Sequence, residues 1–322
     1  MKALLLAAGL GTRLRPLTLS RPKPLCLYFG QPILDLVYKQ IQRIGIHNIA
    51  INTHYLAQDI EKHIVSRETI YLDAPKISFE PEILGTGGCL NPLRTWIGHS
   101  SILIYNADII ADIDLKSLVA FHENQNALAT MVLLPQWREG TNPVHCDGSL
   151  VRKIGKDCGP KGTSPATFTG MHILSKSFID RVPEEGFQHI IDTYDHVLQE
   201  GGHVGAFFHQ GYWADLGNPK DYLDAHLDVL AMPERDEFLE RLGVYSLVDR
   251  QTFHWDLKQQ SVFLHQEQSF PAQQSFVFGP IQNPNHLSIQ RAIVYPSTVI
   301  TEHDQPVTSC ILTPESRLNI SE

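Results

Sequence analysis

Glycines and basic residues crowd the segment that follows the first apolar run of the chain. Gly9 and Gly11 come first, and Arg13 and Lys23 follow among several prolines. Glycine lets backbone N–H groups approach phosphate oxygens closely. Arginine offers a forked donor and lysine a compact charge. Because proline fixes φ and disfavours a helix, the segment predicts a loop of restricted conformation that binds the phosphates of a ligand.

Two common phosphate-binding motifs do not fit this segment. Leu14 stands where the third glycine of a dinucleotide-binding motif would be, and no Gly-Lys-Ser/Thr follows at the spacing of a Walker A loop. An NAD(P)-dependent oxidoreductase is therefore disfavoured.

Two aspartates from distant segments are candidate metal ligands. Asp108 follows the strand-like run 101–105, and Asp215 precedes Leu-Gly-Asn-Pro. An aspartate in such a place is often only a turn residue. However, Mg²⁺ prefers one or two protein carboxylates together with substrate phosphates. We expect Asp108 and Asp215 to bind Mg²⁺ from one edge of a sheet.

A second glycine-rich stretch, Leu-Gly-Thr-Gly-Gly at 84–88, offers exposed backbone to a flat ligand. Its N–H and C=O groups suit the edge of a nucleobase, although a plain glycine turn is the alternative. Glu80 and Glu82 precede it, and we interpret them as a solvated strand end rather than as sugar or base contacts.

The histidines and cysteines suggest no further site. His122, His172 and His209 have no partner in a metal-binding pattern and are predicted to lie in the core or at its rim. The five cysteines are scattered and are predicted to be reduced thiols. A zinc site at His145, Cys146 and Cys158 is disfavoured, since no fourth ligand has sensible spacing.

Composition limits the classes of partner. The formal charge of −9 argues against a general nucleic-acid binder, which would show a basic stripe. Only six apolar residues separate Lys2 from Gly9, too few for a secretory signal or a membrane span. We therefore expect a cytoplasmic protein with small-molecule partners, no nucleic acid and no membrane.

The order of apolar runs predicts an α/β fold. A strand at 2–8, a helix at 32–45 and a strand at 48–53 form a βαβ unit. Further strands are predicted at 101–105, 127–134 and 168–174, and further helices at 115–125, 187–201 and 221–230. The pattern indicates a mixed, mostly parallel, Rossmann-like sheet with helices on both faces. Residues 140–165 are predicted to be a loop or a ragged hairpin.

The tail has a different character. Residues 292–297 and 310–315 are alike and begin 18 residues apart, which is one coil of a β-helix. A piece at 278–280 resembles an earlier rung displaced by about two residues. A small irregular β-cap is the alternative. We predict a catalytic domain at 1–232, a linker helix region at 233–260 and a β-helix-like domain at 261–322, whose small size favours a homodimer.

These motifs carry a family resemblance that covers about residues 1–230. Leu6-Ala-Ala-Gly-Leu-Gly-Thr-Arg-Leu-Arg-Pro-Leu-Thr18 with Arg21-Pro-Lys-Pro-Leu25 resembles the signature of the sugar-1-phosphate nucleotidyltransferases. Leu84–Gly88, Asn106-Ala-Asp108, Phe168-Thr-Gly-Met171 and Trp213-Ala-Asp-Leu-Gly217 resemble the family's later motifs. The tail resembles, more weakly, the left-handed β-helix of some members.

The resemblance implies a role for each matching residue. Catalysis falls to Arg13, Lys23, Asp108 and Asp215, and magnesium binding falls to Asp108 and Asp215. Nucleotide binding involves Leu6, Ala8, Gly9, Gly11, Thr12, Arg13, Gly85, Thr86 and Gly87. The sugar phosphate contacts Lys23, Asn106, Thr169 and Gly170.

The implied reaction joins an NTP and a sugar-1-phosphate into an NDP-sugar and pyrophosphate. The 84–88 loop is most similar to guanylyltransferases acting on mannose-1-phosphate or heptose-1-phosphate. Uridylyltransferases for N-acetylmuramate-1-phosphate or glucose-1-phosphate, and a non-catalytic nucleotide-sugar sensor, stay as alternatives. The chain departs from the family where a Glu-Lys pair is expected and Cys158-Gly159 stands. Lys153, Lys156 and Lys161 are the candidate substitutes for that pair.

Overall fold

The apolar start of the chain forms a strand, Lys2–Leu6, at the centre of a parallel arrangement. It pairs with Ile49–Thr53 on one side and with Ile102–Asn106 on the other, both in parallel. The computed structural model describes residues 1–156, 159–265, 270–304 and 306–320. Cys158 lies outside the described residues. It is one of the two residues that stand where the Glu-Lys pair is expected.

The described residues group into two units. The first unit contains Met1–Gly9, Ile41–Ala107 and Ile113–Trp213. The second contains Leu10–Gln40, Asp108–Asp112 and the chain from Ala214 onwards. The grouping combines the first loop with the tail, and the predicted boundaries at 232 and 260 stay predictions.

The first unit is built on a nine-stranded mixed sheet. Its strands lie in the spatial order Lys76–Phe79, Ile49–Thr53, Lys2–Leu6, Ile102–Asn106, Ser164–Leu174, Ala129–Leu134, Val204–Phe208, Leu150–Ile154 and Pro143–Asp147. All but Ser164–Leu174 and Leu150–Ile154 run in one direction. The mixed, mostly parallel sheet predicted from the sequence is confirmed.

Helices connect these strands, as the periodicity predicts. In the first unit they are Ala57–Ser66, Gly85–Gly88, Arg94–Ile97, Leu115–Gln125, Lys176–Ile179 and Ile190–Gln199, with the single turn Asn91–Leu93. Helix Ile33–Arg43 crosses from the second unit into the first. Leu115–Gln125 has the predicted bounds because the Asp114 side chain accepts a hydrogen bond from Ser117 N at its start. Asn126, in the left-handed region, ends it.

Residues 140–165 contain a hairpin, which is the second of the two predicted possibilities. Pro143–Asp147 pairs with Leu150–Ile154, with a register shift between Val151 and Lys153, and a further strand begins at Ser164. Val144 and Val151 of this hairpin are buried in the main core. Gly148, at φ +56°, lies in its turn.

The second unit holds the loop segments and two helices. Its helices are Pro219–Ala231 and Arg235–Leu242, and the latter lies in the predicted linker region. The first loop contains three single turns, Thr12–Leu14, Leu17–Leu19 and Lys23–Leu25, instead of an α-helix. The unit also contains the short strands Leu27–Tyr28, Gln31–Pro32 and Ile109–Ala111 and the single turns Val244–Ser246, Arg250–Thr252 and Glu302–Asp304. Strand Trp213–Asp215 begins at the last residue of the first unit and continues into the second.

The tail forms a stack of parallel strands. Ser261–Leu264, Phe276–Val277, Ile289–Val294 and Val307–Leu312 pair in that order, and Ala272–Gln273 pairs with Ile289–Val294. Antiparallel strands Phe253–Asp256 and Arg317–Asn319 cover its two ends.

The register of this stack agrees with the predicted repeat. Ala292 pairs with Cys310, which is the expected spacing of 18 residues. Val277 pairs with Val294, so the earlier rung is displaced by one residue rather than by about two. The apolar residues of these strands form a separate buried core. The handedness of the coil stays a prediction. Within the described part of the chain, no helix is long and apolar enough to cross a membrane.

Candidate functional site

Two carboxylates that are far apart in sequence meet at one lysine in the second unit. Lys23 Nζ donates a hydrogen bond to Asp108 Oδ2. The same ammonium lies 3.7 Å from Asp215 Oδ1. Lys23 is only 7% exposed, so its charge is held by these partners rather than by water. The structure therefore brings Lys23, Asp108 and Asp215 together, as the sequence predicts for a shared site.

The backbone explains why these residues meet. Asp108 directly precedes strand Ile109–Ala111, and Asp215 ends strand Trp213–Asp215. The two strands pair, and Leu216 N donates to Asp108 O at 3.0 Å. Lys23 begins the single turn Lys23–Leu25, which Cys26 N closes by donating to Lys23 O. The pairing places both carboxylates at the same end of one short ribbon.

Arg13 also lies near Asp215. A Cβ atom built on Gly217 would lie 2.7 Å from an Arg13 guanidinium nitrogen and 3.1 Å from Asp215 Oδ1. The guanidinium and the carboxylate are therefore both close to Gly217, and a side chain there would displace the guanidinium. No role was predicted for Gly217, although it closes the Trp213–Gly217 motif. Arg13, Lys23, Asp108 and Asp215 are called the charge cluster below.

Asp215 has the perturbed electrostatics of this cluster. Burial raises the pKa of its carboxyl group, and the nearby charge of Asp108 raises it further. Lys23 and Arg13 oppose this by lowering the pKa of Asp215. The two basic residues thus offset part of the increase in the pKa of Asp215.

One atom of the cluster lacks a hydrogen-bond partner among the described residues. Asp215 Oδ1 is buried and accepts no hydrogen bond. A buried acceptor without a donor costs about 1–3 kcal/mol. Carboxylate oxygens are the ligands of a hard divalent cation, and Mg²⁺ needs only one or two of them. Asp108 and Asp215 therefore fit a magnesium ion, while the described residues contain no group of three or more metal-ligating side chains.

The glycine and threonine of the first loop lie in the same unit. Gly11 is in the left-handed region at φ +62°, and its carbonyl accepts a hydrogen bond from Thr18 Oγ1 at 2.7 Å. A side chain at Gly11 would press on Thr18 and on Lys23 Cβ. Gly11 is thus required for the packing of this loop, whereas Thr12 is exposed and begins the turn Thr12–Leu14.

The remaining residues of the first motif lie in the first unit. Leu6 ends the first strand and is in register with Asn106 and Asn52 of the neighbouring strands. Ala8 is buried and Gly9 is exposed. Among the described residues, no atom beyond the two chain neighbours lies within 4 Å of a Cβ built on Gly9, so packing does not explain this glycine. Open space at Gly9 is what close approach of a ligand needs.

A buried network that the sequence analysis missed holds the second glycine-rich stretch. Glu80 is 1% exposed, and its two carboxylate oxygens accept hydrogen bonds from Asn52 Nδ2 at 2.7 Å and Leu84 N at 3.0 Å. Asn52 Oδ1 in turn accepts from Ala7 N at 2.7 Å. The interpretation of Glu80 as a solvated strand end is wrong, while Glu82 is exposed. An isolated glutamate beside a loop gives no sequence signal of such a network.

The glycines at 85–88 pack closely against the protein itself. Gly87 N donates to Gln188 O at 2.8 Å, and a Cβ on Gly85 would lie 2.5 Å from that oxygen. Gly85 has a positive φ of +80°. The exposed Thr86 accepts from Ile190 N through its hydroxyl. Intramolecular packing therefore accounts for part of this glycine pattern, and the base-binding roles of Gly85, Thr86 and Gly87 stay predictions.

The predicted sugar-facing strand has an irregular turn. Gly170 has φ +84° and lies where the register with strand Ala129–Leu134 shifts. Thr169 is buried, and its hydroxyl donates to Val132 O at 2.8 Å. Trp213 Nε1 donates to Thr169 O at 3.1 Å. The Thr169 hydroxyl is therefore already bonded within the protein. Trp213, whose indole contacts this strand, was not among the predicted site residues.

The other polar candidates have varied surroundings. Lys156 and Lys161 are exposed, and Lys153 lowers the pKa of Asp195 against the larger effect of burial.

The prediction of core or rim positions for histidines is confirmed at His122, His172 and His209, which are buried and bonded to Thr130, Tyr194 and Tyr212 respectively. The described cysteines, Cys26, Cys89, Cys146 and Cys310, are free and buried.

Comparison with known proteins shows what the chain is similar to. The family model described as nucleotidyl transferase matches residues 2–142. These residues are therefore similar to a nucleotidyl transferase domain. Among curated proteins it is 31% identical over 229 residues to a mannose-1-phosphate guanylyltransferase catalytic subunit beta of Xenopus tropicalis, covering 69% of this chain and 63% of the relative. A mannose-1-phosphate guanylyltransferase of Mycobacterium tuberculosis is 26% identical over 234 residues, covering 71% of this chain and 64% of the relative.

Solved structures show the same fold. HddC from Yersinia pseudotuberculosis superposes on this chain with a TM-score of 0.59 at 25% identity, covering 70% of this chain and 98% of HddC. A putative glucose-1-phosphate thymidylyltransferase from Bacillus anthracis gives a TM-score of 0.62 at 20% identity, covering 70% and 94%. The match to the curated relatives spans less than two thirds of their length, and the match to solved structures concerns the fold.

Proposed function

We propose that the protein transfers a nucleotidyl group from an NTP to a sugar-1-phosphate, releasing pyrophosphate. The observation that carries this proposal is the charge cluster, in which Lys23 joins Asp108 and Asp215 and Arg13 flanks the latter. The nucleotidyl transferase domain match and the guanylyltransferase relatives support the same reaction class.

The chemistry fits a site made of cations and carboxylates. The second pKa of a phosphate monoester is about 6, so the sugar phosphate is mostly a dianion at pH 7. Its oxygen forms a bond to the α-phosphorus while the bond from that phosphorus to the bridging oxygen of pyrophosphate breaks. Because no proton has to be removed from the nucleophile, the reaction needs alignment and charge neutralisation rather than a general base.

Each member of the charge cluster has a proposed role. Arg13 binds the β- and γ-phosphates and neutralises the leaving pyrophosphate through its forked guanidinium. Lys23 holds the α-phosphate or the incoming phosphate as a compact charge. Asp108 and Asp215 hold Mg²⁺, which supplies further neutralisation of phosphate charge when bound. In the first unit, the open space at Gly9 is proposed to admit phosphate oxygens to backbone N–H groups.

For the substrates, we propose GTP with mannose-1-phosphate or a heptose-1-phosphate. The support is the naming of both curated relatives as mannose-1-phosphate guanylyltransferases, together with the Leu84–Gly88 motif. A cytoplasmic location and a homodimer stay predictions from the sequence.

The experiment is a pyrophosphate-release assay with each of the four common NTPs and dTTP against a panel of sugar-1-phosphates. We expect release with GTP and mannose-1-phosphate or a heptose-1-phosphate, and none with the Asp108→Asn variant. Release only with UTP would replace the guanylyl proposal by the uridylyl alternative. Binding of nucleotide-sugar without release for any pair would contradict the enzyme and support a sensor.

A further inference from the structure

The chain just after Lys23 is clamped by two buried tyrosines from later parts of the second unit. Leu27 N donates to Tyr295 Oη at 3.1 Å, and Tyr222 Oη donates to Leu27 O. The two hydroxyl oxygens lie 2.8 Å apart. Both backbone polar groups of Leu27 are therefore satisfied by tyrosines rather than by a continuous sheet.

The donors and acceptors of this clamp can be counted. Tyr222 gives its only proton to Leu27 O, and Tyr295 accepts the proton of Leu27 N. The Tyr295 proton then remains for Tyr222 Oη or for the buried Cys26 thiol, both of which it contacts. Because all these groups are buried, removing one hydroxyl leaves a partner without its hydrogen bond.

Tyr295 also contacts the chain on the other side of Lys23. The Arg21 guanidinium lies over the Tyr295 ring, 5.1 Å from its centroid. Between Arg21 and Leu27 there is only one short turn, Lys23–Leu25, closed by Cys26 N on Lys23 O. One aromatic side chain thus holds both ends of the segment that aims Lys23 at Asp108 and Asp215.

The tyrosine is itself fixed by the parallel stack of the tail. Tyr295 follows strand Ile289–Val294, and its backbone N donates to Leu312 O at 2.9 Å. Its ring packs edge-on against Phe278 with centroids 5.7 Å apart. The residue is 1% exposed. Its position is therefore set by the tail and not by the loop that it contacts.

We propose that Tyr295, with Tyr222, is a positioning residue that lets the tail hold Lys23 in the charge cluster. The tail then takes part in nucleotidyl transfer through the geometry of one loop, without touching substrate. This inference rests on the role proposed above for Lys23.

The test is the Tyr295→Phe variant of the full-length chain, which keeps the ring over Arg21 and removes the hydroxyl. The assay is pyrophosphate release with the substrate pair that wild type uses, and kcat is expressed per site counted by calorimetric titration with the same NTP. We expect kcat per site to fall by about 10-fold or more, since a misplacement of about 1 Å costs on the order of 100-fold. Counting sites removes the effect of any unfolded fraction.

Tyr245→Phe is the matched control. Tyr245 lies in the same unit and its hydroxyl donates to Asp236 Oδ1 at 2.8 Å, so the variant loses one tyrosine hydrogen bond elsewhere. We expect its kcat per site to stay within about 2-fold of wild type. Tyr222→Phe should reproduce the loss seen with Tyr295→Phe, and the double variant should lose no more than either, because both tyrosines hold one peptide unit.

The outcomes separate this inference from the proposed function. Lys23→Ala with near-normal turnover would contradict the charge cluster as the reacting site. An inactive Lys23→Ala with Tyr295→Phe equal to Tyr245→Phe would overturn only the positioning role. If Tyr295→Phe does not fold, Arg21→Gln decides instead: a kcat per site lowered several-fold supports the clamp, and an unchanged value overturns it.

Discussion

The two units differ in how the residues of their predicted motifs are bonded. In the charge cluster of the second unit, Lys23, Asp108 and Asp215 have one another as partners, and Asp215 Oδ1 still lacks a donor among the described residues. In the first unit, Gly85 and Gly87 lie against Gln188, and the Thr169 hydroxyl is bonded to Val132 O. A buried charged group that lacks a hydrogen-bond donor indicates a place where a ligand or metal ion can bind. Glycines in close contact with the protein's own backbone are explained by packing before any ligand is invoked.

A large effect is expected from removing the cation at the centre of the charge cluster. Lys23→Ala leaves two adjacent carboxylates without their ammonium and the substrate phosphate without its charge partner. We expect kcat for pyrophosphate release to fall by about 100- to 1,000-fold. Lys220→Ala is the control, because Lys220 pairs with Asp224 on the surface of the same unit. A similar loss in both variants would mean that the effect is not specific to the cluster.

The next effect tests whether Gly217 makes room for Arg13. Gly217→Ala places a Cβ 2.7 Å from the Arg13 guanidinium, which is too close for both groups to stay in place. The guanidinium moves, because the arginine side chain is more flexible than the backbone that carries the new Cβ. We expect kcat to fall by about 10- to 100-fold with little change in the free energy of unfolding. In an Arg13→Ala background the same substitution should have no further effect on kcat. Additive losses would show that Gly217 acts independently of Arg13.

A pair of glycine variants compares the two loops of the first unit directly. Gly85→Ala puts a Cβ 2.5 Å from Gln188 O at a positive φ, so it should lower the free energy of unfolding by about 2 kcal/mol. Gly9→Ala meets no atom and should change that free energy by less than about 0.5 kcal/mol. Denaturant unfolding measures both.

The same pair separates packing from ligand binding. Calorimetric titration with GTP and Mg²⁺ should show at least 10-fold weaker binding for Gly9→Ala, since the new methyl group occupies space proposed for a phosphate. Unchanged binding by Gly9→Ala would remove this loop from the nucleotide site. An unchanged free energy of unfolding for Gly85→Ala would show that the backbone at Gln188 moves aside at little cost.

The smallest effect concerns one buried neutral histidine in each unit. Burial lowers the pKa of His172 and that of His226 to about 3. Between pH 6.5 and 5.5 the unfolded chain takes up protons that the folded chain does not, so the free energy of unfolding falls by about 1 kcal/mol per histidine.

His226→Phe isolates one of these contributions. The ring of His226 lies among aromatic rings, including Phe29 at 5.4 Å and Phe276 at 4.8 Å between centroids, so phenylalanine suits the position. Urea unfolding at the two pH values should show a smaller pH-dependent loss in the variant by about 1 kcal/mol. Equal losses in variant and wild type would mean that His226 is protonated in the folded protein.

The sequence predicted the mixed sheet and most helices because apolar periodicity reports burial directly, as at Leu115–Gln125. It also predicted that Asp108 and Asp215 would meet, since two carboxylates from distant segments of one sheet edge can hold a hard cation together. The sequence left residues 140–165 open between a loop and a ragged hairpin, because the polar turn outweighs the short apolar runs of Pro143–Asp147 and Leu150–Ile154.

Long-range hydrogen bonds account for the other omissions. The pairing of Glu80 with Asn52 and the clamp of Tyr295 on Leu27 join residues that no local pattern relates. A single sequence shows neither partner, and only the folded backbone brings them together. The charge cluster was found because its residues are chemically distinctive, whereas the residues that hold it in place are ordinary tyrosines, asparagines and glycines.

The central claim is that Asp108 and Asp215 act as one centre in nucleotidyl transfer. The most direct measurement is a double-mutant cycle on kcat for pyrophosphate release with Asp108→Asn, Asp215→Asn and the combined variant. Each single variant is expected to lose about 1,000-fold, and the combined variant no more than that, as residues of one catalytic unit behave. Independent, multiplying losses, or near-normal turnover in either single variant, would contradict the account.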